Sequence, residues 1–138
     1  MHIDVITRDV IGLAMRIHSE LGLGLFESVY EAVLYGKLTE MGYKVDRQRP
    51  VEIEFEGKLY ANALKIDLLV NDQLIIEIKS VEQNNVLHKK QLLTYLRLTN
   101  LSVGLVLNFG RPSLKEGIQR VVNDHIDSAP SALSALSA

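Results

Sequence analysis

Residues 66–80 read Ile-Asp-Leu-Leu-Val-Asn-Asp-Gln-Leu-Ile-Ile-Glu-Ile-Lys-Ser, and the rest of the predicted fold is arranged around them. Two apolar runs flank the polar residues 71–73, a pattern that predicts a β-hairpin. Three charged side chains interrupt the apolar runs, namely Asp67, Glu77 and Lys79. Charged groups in a buried strand are costly unless they pair with one another or bind a cation. The hairpin is therefore predicted to carry the functional site.

These charged residues allow two interpretations. Side chains alternate along a strand, so Glu77 and Lys79 share one face of the second strand. They could belong to the solvated face of an antiparallel sheet, which is a common arrangement. However, Ile75 lies on the same face as Glu77, and Leu69 lies on the same face as Asp67. The face is mixed, and these residues alone favour neither a surface role nor a functional one.

The length of the turn decides whether the two carboxylates can meet. With a two-residue turn, Asp67 would face away from Glu77, because paired residues share a face. A three-residue turn places Val70 opposite Leu74 and Asp67 opposite Glu77, and a β-bulge before Asp67 would have the same effect. We predict the three-residue turn, with its last residue, Gln73, in the left-handed region.

Metal-assisted hydrolysis is the chemistry that suits two carboxylates beside a lysine. Carboxylates are hard oxygen ligands for Mg²⁺, which keeps several waters and often binds a substrate phosphate. The metal lowers the pKa of a bound water and neutralises the charge that develops on the phosphate. An adjacent lysine can orient the water or stabilise that charge. Asp67, Glu77 and Lys79 are therefore the candidate catalytic residues.

The composition is typical of a soluble globular domain. The chain has 138 residues, 47% hydrophobic and 23% charged, which predicts a single domain over residues 1–126 and a low-complexity tail over residues 127–138. The net charge of −2 does not support a strongly basic nucleic-acid binder, but it does not exclude a nuclease, because carboxylates at a metal site lower the formal charge. The lack of cysteine excludes disulfides and thiolate metal sites. No apolar run approaches the roughly 20 residues that span a bilayer, and no signal-peptide pattern opens the chain, so a cytoplasmic protein is expected.

Hydrophobic periodicity predicts four helices and four strands. The helices are expected over residues 4–21, with Asp4 as the N-cap, from 25 or 26 to 41, from 84 or 85 to 98, and from 113 to about 125. The strands are expected over residues 51–56, 58–70, 74–80 and 101–108, with a bend in the second near Asn62 or Ala63. The fold is then α/β in the order α-α-β-β-β-α-β-α, with a mixed four-stranded sheet flanked by helices. The connection between the last two strands predicts a right-handed parallel crossover.

A second motif opens the second helix. Residues 24–30 read Gly-Leu-Phe-Glu-Ser-Val-Tyr, and they resemble the Gly-X-X-Glu-X-X-Tyr motif of the GxxExxY family, which is assigned to the PD-(D/E)XK nuclease superfamily. Asp67 and Glu77-Ile78-Lys79 are similar to the signature of that superfamily. Gln91 and Tyr95 resemble the Gln-X-X-X-Tyr element of its RecB-like members. The resemblance continues through residues 108–110 and covers nearly all of residues 5–123.

This resemblance implies a restriction-endonuclease-like core and a nuclease that depends on Mg²⁺ or Mn²⁺. The implied metal ligands are Glu27, Asp67, Glu77 and the backbone carbonyl of Ile78. Lys79 would position or activate water, and the residues that bind or orient the substrate or the lysine would be Gln91, Tyr95 and Tyr30. Members of the superfamily often have arginine two positions before the first-strand acid. Lys65 stands there, and its ammonium group lacks the planar fork with which an arginine makes a bidentate contact.

Several of these assignments have a structural alternative. Glu27 lies in the first turn of a helix, where the helix dipole favours a carboxylate in any case. Gln91 and Tyr95 could form a polar fringe beside a core stripe, although their position one helix after Lys79 favours function. The rival to a nuclease of DNA or RNA is a non-catalytic module of the same fold that binds or assembles, for instance as a homodimer.

Overall fold

Four helices and five strands form the part of the chain, residues 1–124, that a computed structural model describes. The helices are α1 (Ile3–Leu21), α2 (Glu27–Glu40), α3 (Val86–Thr99) and the short α4 (Leu114–Gly117). The strands are β1 (Val45–Phe55), β2 (Lys58–Val70), β3 (Leu74–Lys79), β4 (Val103–Asn108) and β5 (Ile118–Val122). They make one sheet in the order β1-β2-β3-β4-β5, in which β3 and β4 are parallel and all other neighbours are antiparallel. The predicted α/β fold with a mixed sheet flanked by helices is confirmed.

Helices cover both faces of the sheet, and each face has its own hydrophobic core. The apolar residues of α1 recur at spacings of three and four, so they form one stripe that packs, together with α2, against one face. The opposite face is covered by α3, whose Leu92 and Leu96 are fully buried. β3 lies at the centre of the sheet, and its side chains up to Ile78 are buried. Glu77 is therefore held between two packed layers, and Lys79 lies at their edge.

The C-terminal part of the fold differs from the prediction of a helix over residues 113–125. Helix α4 covers only four residues, and the chain then pairs antiparallel with β4 as a fifth strand. The predicted number of strands is therefore wrong. Ile118, Val121 and Val122 fit helical spacing, but they are β-branched, and their strand satisfies backbone groups on the open edge of β4. The predicted tail, residues 127–138, lies outside the described residues.

Two elements begin earlier than predicted. α1 begins at Ile3, and its N-cap is His2, whose Nδ1 accepts a hydrogen bond from the Asp4 N–H at 3.1 Å. The predicted cap at Asp4 is wrong, because this residue already lies inside the first turn. β1 begins at Val45 instead of residue 51, because the polar residues 46–49 extend the pairing with β2. Among residues 1–124, no helix is long and apolar enough to cross a membrane.

β1 and β2 form a long hairpin that extends beyond the rest of the sheet. β2 pairs with β1 along most of its length, but with β3 only over residues 68–70. A register shift between Val51 and Ile53 and a φ of 58° at Asn62 bend this hairpin, as predicted. β2 therefore separates from β3 at the position of Asp67, the first carboxylate of the predicted site.

The turn between β2 and β3 has the three residues that the site requires. Val70 pairs with Leu74, and the Gln73 N–H donates to the Val70 carbonyl at 3.0 Å. The left-handed residues are Asn71, with φ of 53°, and Asp72, with φ of 55°. The predicted turn length is confirmed, but the prediction of a left-handed Gln73 is wrong. Asparagine and aspartate tolerate this region better than glutamine, and two successive positive φ values are typical of hairpin turns.

Candidate active site

β2 and β3 separate at the two predicted catalytic carboxylates. The ladder ends at the pair Leu68 and Ile76, and its continuation would place Asp67 opposite Glu77. At this fork between the strands, hydrogen bonds from backbone N–H groups to side-chain carboxylates take the place of the backbone hydrogen bonds. The Asp67 N–H donates to Glu77 Oε1 at 3.3 Å, and the Ile78 N–H donates to Asp67 Oδ2 at 2.9 Å. Each carboxylate thus accepts a backbone hydrogen bond from the opposite strand, and Asp67 and Glu77 come together as the turn length predicts.

Glu77 is buried, Asp67 is half-buried, and the two carboxyl groups influence each other. Glu77 is only 4% exposed. Burial, and after it the negative charge of Asp67, raise the pKa of Glu77 from 4.5 to about 8, against the opposing effects of the Asp67 N–H and Lys79. Burial also raises the pKa of Asp67, and the charge of Glu31 acts in the same direction. Without a bound cation, the Glu77 carboxyl therefore holds its proton at neutral pH.

Lys79 lies at the carboxyl end of β3, beside this pair. It is paired with Asn108 in the parallel ladder, and its carbonyl accepts a hydrogen bond from the Phe109 N–H at 2.8 Å. Its ammonium group is close enough to lower the pKa of both carboxyls. The side chain of Ile78 lies in the core, and its N–H is bound to Asp67. The role of the Ile78 carbonyl as a metal ligand stays a prediction.

Helix α3 places Tyr95 and Gln91 beside the carboxylates. Tyr95 is 7% exposed, and a hydrogen bond joins its hydroxyl to Gln91. Burial, followed by the negative charges of Glu77 and Asp67, raises the pKa of Tyr95. The hydroxyl therefore remains a hydrogen-bond donor at neutral pH. The structure thus brings together five of the predicted site residues, which are Asp67, Glu77, Lys79, Gln91 and Tyr95.

Glu27 lies in the first turn of α2, near the end of β3. Its Oε1 accepts a hydrogen bond from the Ser80 N–H at 3.3 Å, and its side chain is exposed. Burial, and after it the positive charge of Lys79, lower the pKa of His88, and the negative charge of Glu27 acts in the opposite direction. Within residues 1–124, no three His, Cys, Asp or Glu side chains lie close enough together to hold a metal ion. The predicted pocket of three carboxylates is therefore not present among these residues. Glu27 binds the Ser80 backbone instead, and the role of Glu27 as a metal ligand stays a prediction.

Tyr30 stabilises the turn between α1 and α2. It is fully buried, its ring stacks on Phe109 with 4.3 Å between the ring centroids, and its hydroxyl donates to the Gly22 carbonyl at 2.6 Å. The hydroxyl also accepts a hydrogen bond from the Leu25 N–H at 3.4 Å. None of its side chain is exposed, and its predicted part in binding or orienting the substrate or the lysine stays a prediction. Tyr30 holds the turn that precedes Glu27.

Three residues near Asp67 were not found by sequence reasoning. Glu31, on α2, is 6% exposed and accepts hydrogen bonds from Arg47 Nε at 2.7 Å and from Gln48 Nε2 at 2.6 Å. Gln48 Nε2 also donates to Asp67 Oδ1 at 3.2 Å. Glu31 follows Glu27 by one helical turn, and this spacing is the sequence signal that places both residues on the same face of α2. Arg47 and Gln48 were missed because β1 was predicted to start at residue 51.

Asn108 organises the loop between β3 and α3. Its Oδ1 accepts hydrogen bonds from the Val81 and Gly110 N–H groups, both at 3.0 Å, and its Nδ2 donates to Asn84 Oδ1 at 3.0 Å. A Cβ at Gly110 would lie 2.3 Å from the Val81 carbonyl oxygen, so a side chain there would displace the loop. This loop leads from Lys79 into α3. Asn108 therefore fixes the position of α3 relative to the carboxylates.

The residues at the fork fit a divalent cation. Asp67 and Glu77 are adjacent hard oxygen donors, and Mg²⁺ is usually held by one or two carboxylates together with waters. The raised pKa of Glu77 marks a place where negative charge is not fully compensated by the protein. A divalent cation would supply that compensation. The described arrangement offers two carboxylate ligands to such an ion rather than the three that were predicted.

Comparisons with known proteins identify the family. A family model described as the PD-(D/E)XK nuclease superfamily matches residues 4–121. The chain therefore belongs to the PD-(D/E)XK nuclease superfamily. No curated protein matches the sequence. A solved structure titled "Crystal structure of SSO0001" is similar to this chain with 21% sequence identity and a TM-score of 0.44, over 90% of this chain and 67% of that chain.

Proposed function

We propose that the protein is a metal-dependent nuclease that hydrolyses phosphodiester bonds of nucleic acid. The observation that carries the proposal is the pair of carboxyls at the strand fork, the buried Glu77 and the half-buried Asp67, with Lys79 beside them. A sheet that served only stability would continue its ladder with apolar residues, since buried charges cost free energy. The Gly-X-X-Glu-X-X-Tyr motif at residues 24–30 supports the narrower proposal that the chain is a GxxExxY member of the superfamily.

In this proposal the carboxylates hold Mg²⁺ or Mn²⁺, and the other side chains act on water and phosphate. A cation held by these carboxylates would lower the pKa of a bound water and would neutralise charge on the phosphate. Lys79 holds the attacking water and donates to the phosphate oxygen on which negative charge develops. The Tyr95 hydroxyl, protonated and held by Gln91, donates a hydrogen bond that orients the phosphate.

Cleavage assays test the proposal. The protein is incubated with labelled single-stranded and double-stranded DNA and RNA, in the presence of Mg²⁺, Mn²⁺ or EDTA. We expect cleavage that EDTA abolishes, and we expect Lys79→Ala to lower its rate by roughly 10²- to 10³-fold, because a donor to the developing charge is lost. Lys58→Ala is the matched control, since Lys58 is exposed at the far end of the β1–β2 hairpin. It should cleave like the wild type.

The thermal midpoint separates chemistry from folding. Lys79→Ala should melt within a few degrees of the wild type, because Lys79 is only partly buried and its removal opens no large cavity. Equal cleavage by Lys79→Ala and the wild type would refute the catalytic role of Lys79. Binding of the same nucleic acids without any cleavage would instead support a non-catalytic module. The panel of substrates also decides between DNA and RNA.

A further inference from the structure

Gln48 lies on β1 opposite Asp67, where the β1–β2 ladder is interrupted. The pairs before and after this position are regular, whereas Gln48 and Asp67 do not pair with each other. Gln48 has a φ of 53°, in the left-handed region that glutamine rarely adopts. Strain of this kind persists only where the surrounding contacts compensate for it. The side chain of Gln48 makes contacts that do so.

The side-chain amide of Gln48 joins two carboxylates. Its Nε2 donates to Glu31 Oε1 at 2.6 Å and to Asp67 Oδ1 at 3.2 Å, and an amide nitrogen has two hydrogens for these two bonds. Glu31 is buried and paired with Arg47, so the acceptor that orients the amide is itself fixed. The amide is neutral, so it bridges the two carboxyl groups without adding a charge.

Both oxygens of Asp67 therefore have a defined donor. Oδ1 accepts from Gln48, and Oδ2 accepts from the Ile78 N–H. The torsion that turns a carboxylate is soft, so a single hydrogen bond would leave the group free to rotate, whereas two bonds on different oxygens fix its plane. A carboxylate has about four lone-pair positions, so these two bonds do not exhaust its capacity to accept a proton donor or a cation.

We propose that Gln48 is a positioning residue that sets the orientation of the Asp67 carboxylate. Glu31 and Arg47 hold Gln48 in place and link α2 to the strand fork. The orientation itself is a property of the protein alone. Its purpose, to present Asp67 to a divalent cation, rests on the proposed nuclease function.

Stability and site geometry respond differently if Gln48 is a positioning residue. Gln48 is exposed, so truncating its side chain opens no cavity. Glycine at this position would relieve the left-handed backbone, which offsets the loss of the hydrogen bond to buried Glu31, so the thermal midpoint should change little. A residue that only supports the sheet would lower the midpoint when it is replaced. A positioning residue loses the order of Asp67 without that loss of stability.

The experiment compares Gln48→Met and Gln48→Gly with the control Gln73→Met. Gln73 also donates a side-chain hydrogen bond, to the Met1 carbonyl, but it does not contact Asp67. In metal-free protein we expect the Ile78 N–H to exchange with solvent about fivefold to tenfold faster in both Gln48 variants, because its acceptor is less ordered. Exchange at Ile76, inside the ladder, should not change. Calorimetric titration should give a Mn²⁺ affinity reduced by roughly 10- to 100-fold.

The two measurements separate the inference from the proposed function. If Ile78 exchange in Gln48→Gly equals that of the wild type, the positioning role is overturned, whether or not the protein binds Mn²⁺. Gln48→Gly decides this point even if Gln48→Met folds poorly. If the wild type binds no Mn²⁺, the proposed function fails, and the exchange data still decide whether Gln48 orients Asp67. Faster exchange with an unchanged Mn²⁺ affinity would overturn the link between positioning and the cation.

Discussion

Glu77 links the candidate site to the stability of the protein. Its burial on the central strand, and after it the negative charge of Asp67, raise its pKa to about 8. This value lies above the ordinary 4.5, so the folded protein keeps a proton that the unfolded chain has lost. The stabilisation is fully present below about pH 4.5 and is lost as the pH rises through about 8, at roughly 1.4 kcal/mol per pH unit. Without a cation the protein should therefore become less stable between these limits.

Glu77→Gln should stabilise the cation-free protein while it removes a metal ligand. Glutamine is a neutral isostere of the protonated acid, it can still accept from the Asp67 N–H, and its amide can donate to the Asp67 carboxylate. Urea unfolding at pH 5 and pH 8 should show a gain of about 2 kcal/mol or more at pH 8 and a much smaller one at pH 5. Glu54→Gln, on the exposed hairpin, should show no such difference. An equal effect at both pH values would refute the raised pKa.

At the scale of elements, strand parity was the most informative property of the sequence. The alternation in residues 66–80 and the need to pair Asp67 with Glu77 predicted the turn length. This was possible because all the residues that determine the pairing lie close together in the sequence. Parity did not reveal β5 in the same way, since the apolar residues 118, 121 and 122 fit the helical period and not the alternation of a strand. The start of β1 was missed because its polar residues pair with β2 on the edge of the sheet, where alternation is weak.

The β2–β3 turn offers a test of which residues adopt the left-handed conformation. Asp72→Gly should raise the free energy of unfolding by about 0.5 kcal/mol, because Asn-Gly suits a turn with two positive φ values. The exposed ion pair of Asp72 with Lys44 contributes little and should offset only part of this gain. Gln73→Gly should be neutral or destabilising, since Gln73 does not have a positive φ. Thermal unfolding of both variants measures the difference, and a larger gain from Gln73→Gly would contradict the observed turn.

At the scale of the whole molecule, the site depends on contacts between distant elements. Glu31 on α2 and Gln48 on β1 meet Asp67 only because α2 packs on the sheet and β1 pairs with β2 in the observed register. Neither residue belongs to a motif with fixed spacing from Asp67. Sequence patterns could therefore predict the two carboxylates and the lysine, but not the residues that orient them. Those residues follow from the packing of complete elements.

Divalent cations should stabilise the whole domain in a way that depends on pH. A ligand at one hundred times its dissociation constant adds about 2.7 kcal/mol to the free energy of unfolding, which would raise the thermal midpoint by roughly 10 °C. Since Glu77 must lose its proton to bind Mg²⁺, the increase at a fixed Mg²⁺ concentration should grow between pH 6 and pH 9. Thermal melts with Mg²⁺ or EDTA measure this shift in the wild type and in Glu77→Gln, which should show almost none. A shift that is the same at every pH, or that persists in Glu77→Gln, would remove Glu77 from the ligands of the cation.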